Sequence, residues 1–275
     1  DLLAEALYDA RPVEKRRGAA NEIYARYQAE LLEVLEEAGK GDLSGPGALL
    51  QVASGNLFGV HDLLSRAAAE FAAIKEDREL PTVLLVGEIY VRCDPFANDF
   101  VIDKLEARGI RVRFAPFNEW LEYADYINFK NGERSGLMSH LSSFVRGVIQ
   151  ALTWSAVAER LGWPHRTTVK QSLAAAAPYM REEFQGESVL TLGGPVHEWR
   201  EGQIDGVVSV GPRECMPNKI SESQFFHIAE QEGLLSLTLS LNGDPLTADA
   251  LDNFVFEIHQ RFKRRQQERA ARREP

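Results

Sequence analysis

The chain has 275 residues, 44% of them apolar and 26% charged, with a formal charge of −10. These values suit one large globular α/β domain, or one domain with a helical appendage, and argue against a nucleic-acid backbone as partner. No apolar run approaches the ~20 residues that span a bilayer, and no charged-then-apolar signal segment opens the chain.

Two cysteines, Cys93 and Cys215, cannot build a disulfide framework and point to a reducing cytoplasm. The sequence starts at Asp1 already in helical pattern, as expected of a piece of a longer polypeptide or of a chain lacking its natural start. Leu2, Leu3, Ala6 and Leu7 form a first short helical stripe that ends before Arg11-Pro12. Ile23, Tyr24, Tyr27, Leu31, Val34 and Leu35 recur at helical spacing up to Gly39, and Leu63, Leu64, Ala67, Phe71 and Ile74 do so again. The stretch Gly41–Gly47 between them is a connector by composition. Residues 1–79 thus read as a helical segment, packing on the next domain or on a part of the protein outside the chain.

Pro81 opens a different regime, an α/β domain over residues 80–262. Val83–Val86 is a continuous apolar strand closed by Gly87-Glu88. Asp94-Pro95 predicts a capped helix carrying Phe96, Phe100, Val101 and Leu105 inward as far as Gly109. Ile110–Phe114 alternates as the next strand, which makes a βαβ unit. Residues 116–131 are rich in aromatics and read as a short helix and loop. Leu137 to Gly162 and Thr167 to Ala177 are helices; Val189–Leu192 reads as a strand or the start of a helix. Val207–Val210 and Leu234–Leu239 are strands, and Leu251, Phe254, Val255, Ile258 and Phe262 mark a last helix. The remainder, 263–275, is basic and reads as a solvated tail. The fold class is therefore α/β: an open, mostly parallel, flavodoxin-like sheet with helices on both faces, preceded by a helical segment.

The chain is organised around Gly206 to Gln231, where a buried strand runs into Gly211-Pro212-Arg213-Glu214-Cys215-Met216-Pro217 and then an amphipathic segment. Pro217 marks a helix start, so Cys215 sits between the carboxyl end of a strand and the amino end of a helix. Ligands of open α/β sheets bind there, and the helix dipole favours a thiolate. Other strand ends bring Glu88, Tyr90 and Arg92, Asn118 and Glu119, Lys219, and Asn242 and Asp244 to the same edge. Cys93 shares its turn with the capping Asp94, and His197 is the one histidine near a possible strand end. Without nearby histidines, two cysteines cannot close a zinc or iron–sulfur site from this chain alone. Neither Gly193-Gly194-Pro195 nor the first βα turn carries a nucleotide-binding pattern.

Val86-Gly87-Glu88-Ile89-Tyr90-Val91-Arg92 with Asp94-Pro95-Phe96-Ala97-Asn98, Leu190-Thr191-Leu192-Gly193 and Gly211-Pro212-x-x-Cys215-Met216-Pro217 resemble the 2-hydroxyacyl-CoA dehydratase and benzoyl-CoA reductase superfamily, in particular its acyl-CoA dehydratase activase-related subgroup. The resemblance covers roughly Asp1 to Phe262. It implies flavodoxin-like lobes, cysteines from several loops holding an iron–sulfur cluster, and an ATP-hydrolysing activase domain or subunit as electron donor. Carried over by position, Cys215 is the metal ligand of the last lobe. The rest of a 4Fe-4S-type cluster is then completed by cysteines outside this chain, in a missing N-terminal region or a partner subunit. Glu88, Arg92, Asn98, Glu119 and Lys219 are the candidate substrate-binding residues. Three functions compete: an iron–sulfur redox component, a non-catalytic module binding a small ligand or a partner through the same crevice, and a thiol oxidoreductase using Cys215 alone. The third lacks a resolving cysteine.

Overall fold

The structure is a computed structural model, and it describes residues 1–41, 46–184 and 186–271. Four helices, α1 (Leu2–Ala10), α2 (Ala19–Gly39), α3 (Pro46–Ala53) and α4 (Val60–Ile74), precede the first strand, β1 (Thr82–Gly87). Two short helices, α5 (Ile89–Cys93) and α6 (Val101–Glu106), lead to β2 (Arg111–Phe114). Then come α7 (Phe117–Lys130), α8 (Leu137–Leu161), α9 (Val169–Ala176) and α10 (Glu187–Arg200). The chain ends through β3 (Gly206–Pro212), α11 (Met216–Glu232), β4 (Ser236–Leu241) and α12 (Ala248–Ala271).

These elements form two compact units, one of Asp1–Arg78 with Ala124–Arg166, the other of Glu79–Tyr123 with Thr167 onward. In the helical unit the apolar stripe of α4 is buried along Leu63, Leu64, Ala67, Ala68 and Phe71. It joins Leu3, Ala6 and Leu7 of α1, Ile23 and Tyr27 of α2, and Ala156, Val157 and Leu161 of α8 in one core. Burying a side chain such as Phe71 contributes about 2–3 kcal/mol. An Asp9–Lys75 ion pair at 2.6 Å and a Tyr27 hydroxyl donating to Glu70 at 2.7 Å tie the helices at their margins. The linear division at residue 79 is thus replaced by one in which α8, far along the sequence, completes the helical core. Of the connector at Gly41–Gly47, residues 42–45 lie outside the described residues, and Pro46 and Gly47 begin α3.

The second unit carries one sheet in the order β2-β1-β3-β4, all pairs parallel. Alternation sorts its side chains onto two faces. On one, Leu84, Val86 and Val207 share a core with Ala175 and Ala176 of α9, Leu192, Val196 and Trp199 of α10, and Phe225 and Ile228 of α11. The other face holds Val83, Leu85 and Val208, all fully buried, and there Ile258 of α12 lies against Gly206. Helices cover both faces, as the near-continuous apolar runs of β1 and β3 require. Val189–Leu192 is helical, within α10. A side chain on Gly193 would begin 2.0 Å from the Ser172 carbonyl oxygen, so this glycine lets α10 approach α9 closely.

Two expectations are corrected. Residues 94–109 do not form one helix with Phe96 and Phe100 inward: Phe96 is 85% exposed, and Phe100, with φ +53°, is the N-cap of α6. Side chains win the backbone groups here. Asp94 accepts from Ala97 N at 2.7 Å, and Asn98 accepts from Val101 N while donating to the Val91 carbonyl. Nor is the basic stretch from Lys263 a frayed tail as far as Ala271, because α12 runs through it. Arg265 donates to the Gly202 carbonyl at 3.1 Å and to Asp205 at 3.0 Å, and Asp205, 0% exposed, also accepts from Thr82 N. These contacts anchor α12 at the amino edge of the sheet; residues 272–275 lie outside the described residues.

Candidate functional site

After β1 the chain turns one way, towards β2, while β3 pairs on the opposite side of β1. The carboxyl ends of β1 and β3 therefore border the crevice where loops diverge in an open α/β sheet. Gly87 has φ +113°, and a side chain there would begin 1.9 Å from the Val210 carbonyl oxygen. The glycine lets β1 leave against β3, and Glu88 N then donates to that same carbonyl at 2.9 Å.

The sequence candidates gather on this rim, but with different tasks. Glu88 is the N-cap of α5, its carboxylate accepting from Val91 N at 2.8 Å. Arg92, only 4% exposed, donates to the carbonyls of Gly87 and Pro116, both at 3.2 Å, and so ties the exits of β1 and β2 together. Asn98, 2% exposed, is spent on backbone groups of its own turn. Glu119 lies in the first turn of α7 with its carboxylate beside Gly194. Lys219 is exposed and donates to Glu222 at 2.7 Å and to Ser240 at 2.6 Å. Asn242 and Asp244 bond to each other within the turn after β4.

Cys215 is half-buried at the N-cap of the 17-residue helix α11 and makes no side-chain capping bond. Its N–H closes the turn onto the Pro212 carbonyl at 3.0 Å. Cys93 is exposed at the end of α5. His197 belongs to the last turn of α10, which leads towards the amino end of β3, so it does not belong to the rim. Among the described residues, no group of three His, Cys, Asp or Glu side chains is placed to hold a metal ion. The thiol of Cys215 suits an iron–sulfur ligand, but the described residues alone do not make such a site.

Residues that sequence reasoning passes over complete the crevice. Glu187, the first residue of α10, accepts from Ile89 N at 3.1 Å. Burial pushes its carboxyl above the usual carboxylate range; Arg92 opposes that and Glu88 adds to it. Ser188 donates to the Pro217 carbonyl at 3.0 Å, and Ser221 donates to the Ser188 carbonyl at 3.1 Å, which clamps the first turns of α10 and α11 together. Asn218 accepts from the Ser209 hydroxyl at 3.0 Å. A glutamate opening an apolar stretch at 187 is the available signal for the first; nothing in the sequence pairs 188 with 217.

No protein-family model matches the chain, and no curated protein or solved structure matches it either. Among the described residues, no helix is long and apolar enough to cross a membrane.

Proposed function

We propose that the α/β unit is the C-terminal lobe of an iron–sulfur redox protein of the 2-hydroxyacyl-CoA dehydratase type. In this reading it works in the cytoplasm with an ATP-dependent activase in low-potential electron transfer. Cys215 supplies one ligand, and the other ligands of a 4Fe-4S-type cluster come from a further region of the polypeptide or from a partner subunit. The observation that carries the reading is the position of Cys215: a half-exposed thiol without a capping role, at the N-terminus of a long helix, on the rim where the sheet order reverses. A ligand thiolate gains there from the open N–H groups of the helix. The exposed Tyr90, Phe96, Phe100 and Met216 around the carboxyl edge suit coverage by the region that brings the remaining ligands. Lys219 and Glu119 are the proposed substrate-facing side chains. Glu88, Arg92 and Asn98 shape the rim through the loops they hold.

One observation favours a second reading, a non-catalytic module binding a small ligand or partner in the same crevice. Arg92 and Asn98 donate to backbone carbonyls, and among the described residues Cys215 belongs to no group of three His, Cys, Asp or Glu side chains that could hold a metal ion. Anaerobic purification of the parent protein with its partner, followed by iron and sulfide analysis, separates the two. The expected result is a brown protein whose iron is lost in Cys215→Ser while the fold persists by circular dichroism. A colourless, iron-free parent, or a Cys215→Ser variant with full iron, refutes the cluster reading.

A further inference from the structure

The parallel sheet ends differently at its two edges. Strand β2 lies at one of them and carries Arg111 and Arg113, charges of the kind that keep an exposed strand from taking a wrong partner. Strand β4 lies at the other, and β3 is its one strand neighbour among the described residues. From Leu234 to Leu241 it has no charged residue and no proline, the usual guards of an open edge. The pairing with β3 sorts the backbone groups of β4. Val207 N donates to Leu235 O and Arg213 N to Leu241 O, so residues 235, 237, 239 and 241 bond inward. The N–H and C=O groups of Ser236, Thr238 and Ser240 therefore point out from the edge.

That strand also reads the same in both directions. Leu235-Ser236-Leu237-Thr238-Leu239-Ser240-Leu241 is a palindrome centred on Thr238. Two copies of β4 run antiparallel about a two-fold axis at Thr238 set Ser236 opposite Ser240, Leu237 opposite Leu239 and Thr238 opposite itself. The centre falls on a residue with outward backbone groups, as such an axis requires; a centre at Leu237 or Leu239 would bring together groups already bonded to β3. Each copy then donates three hydrogen bonds across the axis and accepts three, at residues 236, 238 and 240. Threonine opposite threonine is a favourable cross-strand pair. Leu237 is half-buried on the face where Leu239 and Leu241 are buried, and it gains cover from a second copy. Helix α11 extends the edge: Lys219 donates to Ser240 at 2.6 Å, and Phe226, about two turns further on the same side of the helix, is 64% exposed.

We propose that the open edge of β4 binds a second copy of this chain, joining two four-stranded sheets into one continuous sheet through antiparallel β4–β4 pairing centred on Thr238. Charge favours this place for it. The chain carries −10, so two copies repel each other over most of their surface, and the uncharged edge lets them meet without opposing like charges. The self-complementary sequence favours a second copy over an unrelated strand, which makes no use of the palindrome. The inference goes beyond the cluster reading: either can hold without the other.

The test is sedimentation equilibrium of the unmodified chain from about 1 μM to about 1 mM, the span of weak complexes. The expected result is a rise in mass from 30.8 kDa to twice that value. Thr238→Lys sets two like charges against each other at the axis and should weaken association about tenfold or more. Thr238→Glu should do the same, and an equimolar mixture of the two variants should associate again, because opposite charges then meet. Amide exchange on the unmodified chain gives a reading that needs no variant. The amides of Ser236, Thr238 and Ser240 should slow as concentration rises, while those of Leu237, Leu239 and Leu241 are slow throughout. A monomer at every concentration overturns the proposal and leaves the edge to a strand from elsewhere. A dimer that survives in a folded Thr238→Lys chain, or that forms without slowing exchange at residues 236, 238 and 240, puts the contact on another surface and overturns it equally.

Discussion

Replacing Gly87 with alanine tests whether the crevice depends on the contact between β1 and β3. The new Cβ would lie 1.9 Å from the Val210 carbonyl oxygen, 2.7 Å from Val210 N and 2.8 Å from Val210 C, all backbone atoms that no rotamer change can move aside. Holding an L-residue at a positive φ costs about 1–2 kcal/mol. Relieving the overlap moves β1 from β3 and sacrifices the bond from Glu88 N to Val210 O, about 1 kcal/mol, with overpacking strain of about 1–3 kcal/mol. Together these give a destabilisation of roughly 3–6 kcal/mol, or a fall in melting temperature of about 6–24 °C at about 2–4 °C per kcal/mol. Thermal melts followed by circular dichroism, with Gly243→Ala as control, measure it. Gly243 also has a positive φ, +91°, but nothing within 4 Å of a would-be Cβ, so it reports the conformational part alone. If the two variants melt within about 3 °C of each other, the close approach at Gly87 is not a constraint and the reasoning fails.

Glu187→Gln should stabilise the chain at pH 7. The folded-state carboxyl is raised by burial, so its stabilising contribution is complete below the ordinary carboxylate range and is lost as pH climbs through the elevated value. Glutamine avoids that loss and can still accept from Ile89 N. Urea unfolding should show an advantage for the variant at pH 7 that disappears near pH ~4; a constant difference would contradict the sign. Arg265→Ala should cost about 3 kcal/mol, because it strands the Asp205 carboxylate at 0% exposure. Adding Asp205→Asn should recover part of that, and a double-mutant cycle without coupling would show that the pair is not what anchors α12.

Strands β1 and β3 are legible because burial on both faces writes them as near-continuous apolar runs, while β2 and β4 show as alternating stretches. The Asp94–Phe100 turn escapes such a reading for a physical reason. Asp94 looks like a helix cap in sequence, yet here it and Asn98 bond the backbone of an irregular turn, and two phenylalanines face solvent. Cys215 at a helix start can be read from Pro217 and Gly211-Pro212 alone. That Arg92 reaches the carbonyls of Gly87 and Pro116, or that Ser188 bonds Pro217, depends on which loops the sheet order brings together. Residue types carry no trace of that pairing. The basic run after Phe262 misleads in the same way, since its partner Asp205 lies 60 residues earlier.

The division of each unit between two separated stretches has a consequence for the growing polypeptide. When Phe114 leaves the ribosome, α1, α2 and α4 still lack the face supplied by Ala156, Val157 and Leu161. At the same moment β1 and β2 can pair, but the edge of β1 reserved for β3 stays bare until Gly206 appears. At about 5–20 residues per second that interval lasts roughly 5–20 s. The helical unit has all its segments first, and an apolar strand edge, a template for wrong partners, waits through the delay. Synthesis order thus leaves that edge at risk from Phe114 to Gly206, and most before Leu161, while the helical core is also open; a chaperone that shields strand edges would matter throughout that window.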